Sequence, residues 1–462
     1  MTVTTADLRA FAEDAITYFD RSRLAMHTLD PAELQALQLG ALRLRFDELR
    51  PRVAVLDALA DEQDIDGIAS LDDAAALLFP HTVYKAYPAR LLLENRFDRM
   101  NTWMSRLTTV DLTGLDVAGC ASIDDWLAVV DARTDLRLAH SSGTTGTMSF
   151  LPHSQTQYDR LYRIVRLDVL PDDDPAGLDV VWPSFRHGRS GIARHATAMA
   201  EQIAGAPERF HTLHPGLLSA DVMFLAGRLR AAAARGEAGR VEVPAALAER
   251  RAEFEDALRA TGPGMRAYVR RLADDLRGRR VAALSTWDVL AGMADSAAAD
   301  GLAAVFAPDS VIFAGGGSKA GVLADDWAER TARFAGVPAL QFVYAMVEVM
   351  SLNLQCPAGG YHLEPWLVLY LLDPDTGAVL PRDGVRTGRV ALYDLTADLN
   401  WGGIVTGDHV TVDWRPCACG RTTPRIGPAI SRFAGAGGDD KITCAATAEA
   451  LDEALAFLNG AL

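Results

Sequence analysis

The chain is poor in cysteine, carries no excess of positive charge and contains no long apolar run. Five cysteines in 462 residues, a low and odd number, make a poor basis for a disulfide framework. They fit a reducing compartment, so a cytoplasmic protein is expected. A net charge of −16 argues against nucleic acid and anionic membrane as partners. No apolar stretch approaches the roughly 20 residues of a membrane-spanning helix, and no basic segment precedes an apolar core at the N-terminus. What is present is apolar material in quantity. The chain is 49% hydrophobic and 23% charged, ample for a large core, and its length suggests one large domain with a smaller piece. The Ala-, Arg- and Asp-rich usage is of a bacterial kind. No internal repeat is visible, and the Gly/Ala stretch 434–438 reads as a joint.

The spacing of apolar residues predicts an α/β chain. Residues 1–110 read as helical, with helices over 5–19 and 31–56 behind Thr and Asp cap candidates. Residues 80–85 and 106–112 read as loop-like connectors. From Asp135 onward, strands and helices alternate. Residues 136–140, 179–182 and 310–314 have the β-rich composition of buried strands. Residues 367–372 form a strand, 373–377 a turn and 388–393 the return strand. The charged stretch 241–280 reads as helical with a solvated face.

Several short segments carry chemistry. Ser141, Ser142, Gly143, Thr144, Thr145 and Gly146 follow the first strand. Glycines let backbone N–H groups approach an anion closely, and the hydroxyls add adjustable donors, as a nucleotide phosphate requires. No Gly-Lys-Ser/Thr follows, so this is not the P-loop pattern. Gly315, Gly316 and Gly317, followed by Ser318 and Lys319, lie after a buried strand, as a flat ligand or a tight strand-to-helix turn would need. Tyr344, Ala345, Met346, Val347 and Glu348 alone read as the start of a buried helix. Thr406-Gly407-Asp408 alone reads as a turn. Cys356, His362, Cys417 and Cys419 have the thiolate and imidazole chemistry of tetrahedral zinc. Cys417-Ala418-Cys419-Gly420 resembles a zinc knuckle, and Cys356-x5-His362 supplies two further donors. Such a zinc would be structural, because protein fills all four positions. Four unrelated side chains is the other reading.

In this order the motifs resemble those of the adenylate-forming superfamily, which includes acyl- and aryl-CoA ligases and firefly luciferase. The likeness is greatest to the phenylacetate-CoA ligase branch and to the acyl-protein synthetases of bacterial luminescence, and it covers about residues 80–444. The resemblance implies a large N-terminal adenylate-forming domain of helix-flanked mixed sheets with a small distorted β-barrel part. It would occupy 111–432, with a helical extension over 1–110 packed on it and a short hinge and remnant C-terminal segment over 433–462. It implies ATP and Mg2+ as cofactors beside the structural Zn2+. The phosphate loop with Thr145 would grip the phosphates, and the Gly315–Gly317 turn and Tyr344 would lie against adenine. Glu348 would hold magnesium, and Asp408 would accept from the ribose hydroxyls. Trp182, Ser184, Phe185 and His187 would line the acyl pocket, although Trp182 and Phe185 equally read as core.

The chain departs from the family in three places. Ala345 and Val347 stand where the family has Gly and Thr, which removes one hydroxyl contact. The loop continues Thr147-Met148-Ser149-Phe150 without its usual lysine, leaving Lys319 and Arg186 as candidate replacements. Asp439-Asp440-Lys441-Ile442 resembles the hinge, yet 20 residues follow it here, so the lysine-bearing C-terminal domain is expected to be cut down. Acyl-protein synthetases carry a cysteine near this end that takes the acyl group, and Cys444 lies at about that place. Thiolate attack on the mixed anhydride would be aided by Lys441, while a small packed residue is the alternative.

The expected activity is ATP-dependent adenylation of a small aromatic or acyl carboxylic acid in bacterial secondary metabolism. Acyl transfer to a small-molecule acceptor or a partner-protein thiol would follow, with CoA a poor acceptor. An aryl-CoA ligase with a minimal lid, an ester- or amide-forming ligase, and a degenerate nucleotide-binding protein are the alternatives. A homodimer is a compatible assembly.

Overall fold

Thr4 and Asp30 start the two N-terminal helices that the spacing predicts, in the computed structural model, which describes residues 4–141, 147–170, 177–237, 241, 264–316 and 323–433. Thr4 and Asp7 form a reciprocal capping box on Thr5–Glu13. Asp30 caps Pro31–Leu49 through the Ala32 and Glu33 amides, with Pro31 in the first turn, where its missing N–H costs nothing. Both helices are shorter than the spacing predicts. The first breaks at Asp14, and the second ends at Leu49: Arg50 keeps helical backbone and still donates to the Phe46 carbonyl, but Pro51 has no N–H to continue the ladder. A separate helix, Ala54–Glu62, follows.

Two sheets carry the rest. The first has six strands in the order Phe210–Leu218, Asp179–Gly188, Val281–Thr286, Val311–Gly315, Gln341–Tyr344 and Asn353–Leu354. All pairings are parallel except the last. Side chains alternate across it. Val181, Val281, Ala283, Ile312 and Ala314 pack on one face against helices Met265–Leu276, Trp287–Ala298 and Trp327–Ala335. Val180, Trp182, Ala282, Leu284 and Phe313 pack on the other against Gln155–Val169 and Gly191–Met199. Burial on both faces is why these strands read as continuous apolar runs. Met265–Leu276 buries Tyr268, Val269, Leu272, Ala273 and Leu276, so this part of the expected solvated stretch is amphipathic.

The second sheet is largely antiparallel. Its path runs Tyr361–His362, Arg425–Ile426, Gly403–Asp413, Val385–Asp394 and Leu367–Leu372. Phe79–Pro80 and Ser431–Arg432 add to the long Gly403–Asp413 strand. Phe79–Pro80 is thus a strand and His81–Lys85 a 3-10 helix, where a loop is expected from the sequence. Helix Pro31–Leu49 lies against this sheet. Gln38 Nε2 donates to the carbonyls of Pro365 (2.9 Å) and Leu367 (3.0 Å), and Arg45 Nε donates to Leu395 (3.0 Å). Leu37, Leu42 and Phe46 share one apolar cluster with Trp366, Tyr393 and Trp401. Each such side chain contributes about 1.5–3 kcal/mol on burial, so the helix is an integral part of the core. No helix among the described residues is long and apolar enough to cross a membrane.

Candidate active site and metal centre

A cleft opens where the carboxyl ends of the parallel strands meet the second sheet. Ligands of open α/β sheets bind at this edge, where loops diverge from the strand ends. Ser285 and Thr286 end one strand, and Gly315 with Gly316 ends the next. Gly316 has φ +75°, a left-handed backbone that favours glycine. A Cβ on Gly315 would come within 2.9 Å of the Val343 side chain.

Tyr344 closes its strand, and residues 345–350 leave it as turns and bends. The helix start that this run suggests in isolation does not form. Asn353 Nδ2 donates to the Tyr344 carbonyl (2.9 Å), and the Met350 amide donates to Asp394 Oδ2 (2.7 Å). His153 Nε2 lies 2.7 Å from the Val347 carbonyl, and a Cβ on Gly191 would overlap Val347. These ties set half-buried Glu348 on the cleft wall with Ala345 and Met346.

Asp408 reaches the cleft through a bulge. Arg389 pairs with His409 but Ala391 pairs with Val405, so Thr406, Gly407 and Asp408 together oppose one residue, Val390. Bulges bend a strand and re-aim its side chains. Thr406 Oγ1 donates to the Val390 carbonyl (2.8 Å), and the Asp408 amide lies 3.1 Å from that same Oγ1. Tyr344 Oη donates to Asp408 Oδ2 (2.8 Å), and Arg432 Nη1 donates to Oδ1 (2.6 Å). Burial and then the Asp408 charge raise the Tyr344 phenol well above its ordinary range, so it stays a donor. Arg432 is half-exposed at the rim.

The cleft thus gathers Gly315, Gly316, Ala345, Glu348, Thr406 and Asp408, with Tyr344 bonded to Asp408. It also gathers residues that the sequence does not single out, namely His81, His195, Ser285, Thr286 and Arg432. No spacing marks them. Arg432 reaches Asp408 only through strand pairing, and His195 sits in an ordinary amphipathic helix.

The expected acyl-pocket residues are not among those lining this cleft. Trp182 is buried beside Phe210, with ring centres 6.2 Å apart, and Phe185 lies 4.6 Å from His214. Ser184 is half-buried on the same strand. His187 borders a separate cavity with Arg189, Arg194 and Asp131. Arg186 donates to the Phe210 carbonyl (3.0 Å) and covers its ring. Ser141 is buried and its Oγ accepts from the Ser149 amide (2.9 Å). Ser142, Gly143, Thr144, Thr145, Gly146, Gly317, Ser318, Lys319, Lys441 and Cys444, with the joint and hinge at 434–442, lie outside the described residues.

A second constellation lies at the edge of the antiparallel sheet. The ligating atoms of Cys356, His362, Cys417 and Cys419 all lie within 4.8 Å of one another. Two matching turns bring them together. In one, the Gly359 amide donates to the Cys356 carbonyl (2.8 Å) and the Cys356 amide to Gly360 (2.9 Å). In the other, the Gly420 amide donates to Cys417 (2.9 Å) and the Cys417 amide to Arg421 (2.8 Å). Gly359 and Gly420 take φ of +86° and +88°, which only glycine adopts freely.

The donor spacing fits zinc. Tetrahedral arms of about 2.3 Å to sulfur and 2.0 Å to nitrogen place two sulfurs about 3.8 Å apart and a sulfur and nitrogen about 3.5 Å apart. Cys356 Sγ and Cys417 Sγ are 3.8 Å apart, and Cys419 Sγ and His362 Nε2 are 3.4 Å apart. His362 Nδ1 is 2.9 Å from the Thr423 carbonyl, which can only accept, so Nδ1 carries the proton and Nε2 keeps its lone pair for a metal. Burial pushes His362 down to about 4, which keeps the ring neutral near pH 7. Burial raises the Cys356 thiol, but the Gly360 and Ala358 amides and the neighbouring thiols outweigh it and leave the thiol below its ordinary range.

No family model matches the chain, and no curated protein matches it. Among solved structures, the chain is similar to a 2-hydroxyisobutyryl-CoA ligase in an open conformation with 2-HIB-AMP and CoA. The TM-score is 0.53 at 14% identity, over 88% of this chain and 72% of that one. The same ligase with these ligands in the thioesterification state gives 0.53 at 15% identity, over 88% and 70%. At such identity the likeness is one of fold alone: the chain folds like these CoA ligases.

Proposed function

We propose that this chain is an ATP- and magnesium-dependent ligase that activates a small carboxylic acid as its acyl- or aryl-adenylate. The observation that carries this reading is convergence. Gly315–Gly316, Ala345–Glu348 and Thr406–Asp408, separate in sequence, border one cleft on a fold of this kind.

In this reading Asp408 accepts from the ribose hydroxyls, held in place by Tyr344 and Arg432. Glu348 holds magnesium, whose hard-ligand preference suits one carboxylate plus phosphate oxygens. Bound magnesium would neutralise charge on the phosphates. The Gly315–Gly316 turn offers a flat surface to adenine. Thr145 and Lys319 are the proposed phosphate partners. A carboxylate oxygen of the acid attacks the α-phosphorus, and the bond from that phosphorus to the bridging oxygen breaks. Pyrophosphate leaves with the electron pair. A nucleophile then attacks the acyl carbon and AMP departs. The acceptor is a small amine or alcohol, CoA, or a thiol such as that of Cys444. The Cys3His cluster holds a structural zinc.

The test is acid-dependent ATP–pyrophosphate exchange. Asp408→Ala and Glu348→Ala should each lower it on the order of 10²–10³-fold without unfolding the chain. Near-native exchange in both variants would overturn the nucleotide-site reading. Val347 and the missing loop lysine favour one second reading, a nucleotide-binding protein without catalysis. ATP binding with no exchange for any acid would select it.

A further inference from the structure

One polar side chain in the apolar wall of the cleft has no part in the function proposed above. Helix Gly191–Met199 begins behind Ser190, whose side chain caps it. Ile192 and His195, three residues apart and so on one helical face, both border the cleft. Leu284, Val343 and Leu352 continue this wall into the core of the parallel sheet. His195 Nδ1 lies 3.0 Å from Tyr162 Oη, and the rings of Tyr158 and Tyr162 each sit 5.7 Å from the imidazole. With Nδ1 taken by a partner in the wall, Nε2 is left for a ligand. Burial, with a smaller contribution from His153, pushes His195 down to about 4, so the ring is neutral near pH 7. It is therefore a poor general base at that pH and a good neutral hydrogen-bonding group.

A cleft shaped for a plain alkyl or phenyl group would have no use for this pair. A half-buried histidine and a buried tyrosine cost desolvation that leucine and phenylalanine would not. We propose that His195 is a specificity-determining residue whose Nε2 hydrogen-bonds a hydroxyl or carbonyl oxygen on the acid, so that the substrate is a small, otherwise apolar carboxylic acid bearing one such group away from its carboxylate. With Tyr162 Oη donating to Nδ1, Nε2 carries the ring proton and donates to that oxygen. Tyr162 is then a positioning residue that fixes the tautomer. The inference rests on the acid-activation reading and narrows its substrate.

The experiment is pyrophosphate exchange with matched acids. One series is benzoate against 2-, 3- and 4-hydroxybenzoate. The other is pentanoate against 4-hydroxy- and 4-oxopentanoate. At least one substituted acid should exceed its parent in kcat/KM by about 10–100-fold, the worth of one buried hydrogen bond. His195→Leu should bring that ratio close to one, while His195→Gln retains part of it. Tyr162→Phe should shrink the ratio without abolishing exchange, a readout that merely structural damage would not move. It also keeps the test decisive should His195→Leu fail to fold. Equal or better use of the parents by the native enzyme, or a ratio unchanged in the variants, overturns the assignment of His195 alone. A folded protein that exchanges with no acid in either series overturns the activation reading, and this inference with it.

Discussion

The cleft and the Cys3His cluster are built on opposite plans. In the cluster, four neutral or weakly acidic donors converge on one point, and two glycine turns hold them there. In the cleft, polar and charged groups line an open wall and bond one another, Asp408 to both Tyr344 and Arg432. A closed, fully liganded site suits a structural role, and an open one suits exchange of ligands with solvent. The difference shows in what surrounds each. Next to the cluster, Thr422 donates from its amide to the His27 carbonyl (2.8 Å), and Arg23 bonds buried Glu364 (2.7 Å) and Asp168 (3.0 Å). The cluster therefore ties helix Arg23–His27 to the antiparallel sheet, whereas the cleft sits between sheets.

The sharpest way to break the comparison is to remove the metal. One zinc per chain should copurify, measured by metal analysis of protein prepared without added metal. Cys417→Ser should lose it and lower stability on the order of 4 kcal/mol, read by denaturant unfolding. Exchange per folded molecule should change little. A metal-free native protein of full stability would remove the structural zinc. Loss of exchange in a well-folded Cys417→Ser would show that the two regions are one site.

Asn353 bonds to both regions. Asn353 Nδ2 donates to the Tyr344 carbonyl at the cleft, and its Oδ1 accepts from the Glu364 amide beside the cluster (3.0 Å). Asn353→Ala removes both bonds and leaves buried backbone groups unpaired, at about 1–3 kcal/mol. Stability and exchange should both fall, each less than in the variants of either region. A change in only one readout would mean that Asn353 serves that region alone.

The same contrast explains what the sequence discloses. The strands 367–372 and 311–315 are legible because burial on both faces leaves an unbroken apolar run. The Cys3His cluster is legible because zinc chemistry restricts the residue types to look for and the turns keep pairs close. The cleft is less so. Residues 344–348 have an apolar run that fits a helix start, and only tertiary bonds from Asn353, Asp394 and His153 make it a turn. Arg432 meets Asp408 by sheet pairing across 24 residues, a distance that no local pattern encodes. The helix break at Pro51 was readable from proline alone, yet the apolar period continues across it. Trp182 shows the converse. An aromatic next to a motif reads as pocket or core, and only packing against Phe210 decides for core.

The smallest expected effect sharpens the comparison most, because it separates bonds made within the cleft from bonds that hold the chain. Tyr344 Oη donates to Asp408, but Arg432 donates to the same carboxylate from the rim. Tyr344→Phe keeps the ring and its packing and deletes one donor to a charged acceptor. Arg432 remains, and water or a ribose hydroxyl can take the vacated lone pair, so the loss should be near the lower end for such bonds, about 1.4 kcal/mol. That corresponds to roughly a tenfold rise in the KM for ATP, with kcat, zinc content and unfolding midpoint nearly unchanged. Steady-state exchange kinetics and metal analysis on the same preparation read all of these. An unchanged KM would mean that Asp408 does not meet the nucleotide through this arrangement. A loss of zinc or stability would mean that the cleft is as closed a structural unit as the cluster, and the contrast between the two would fail.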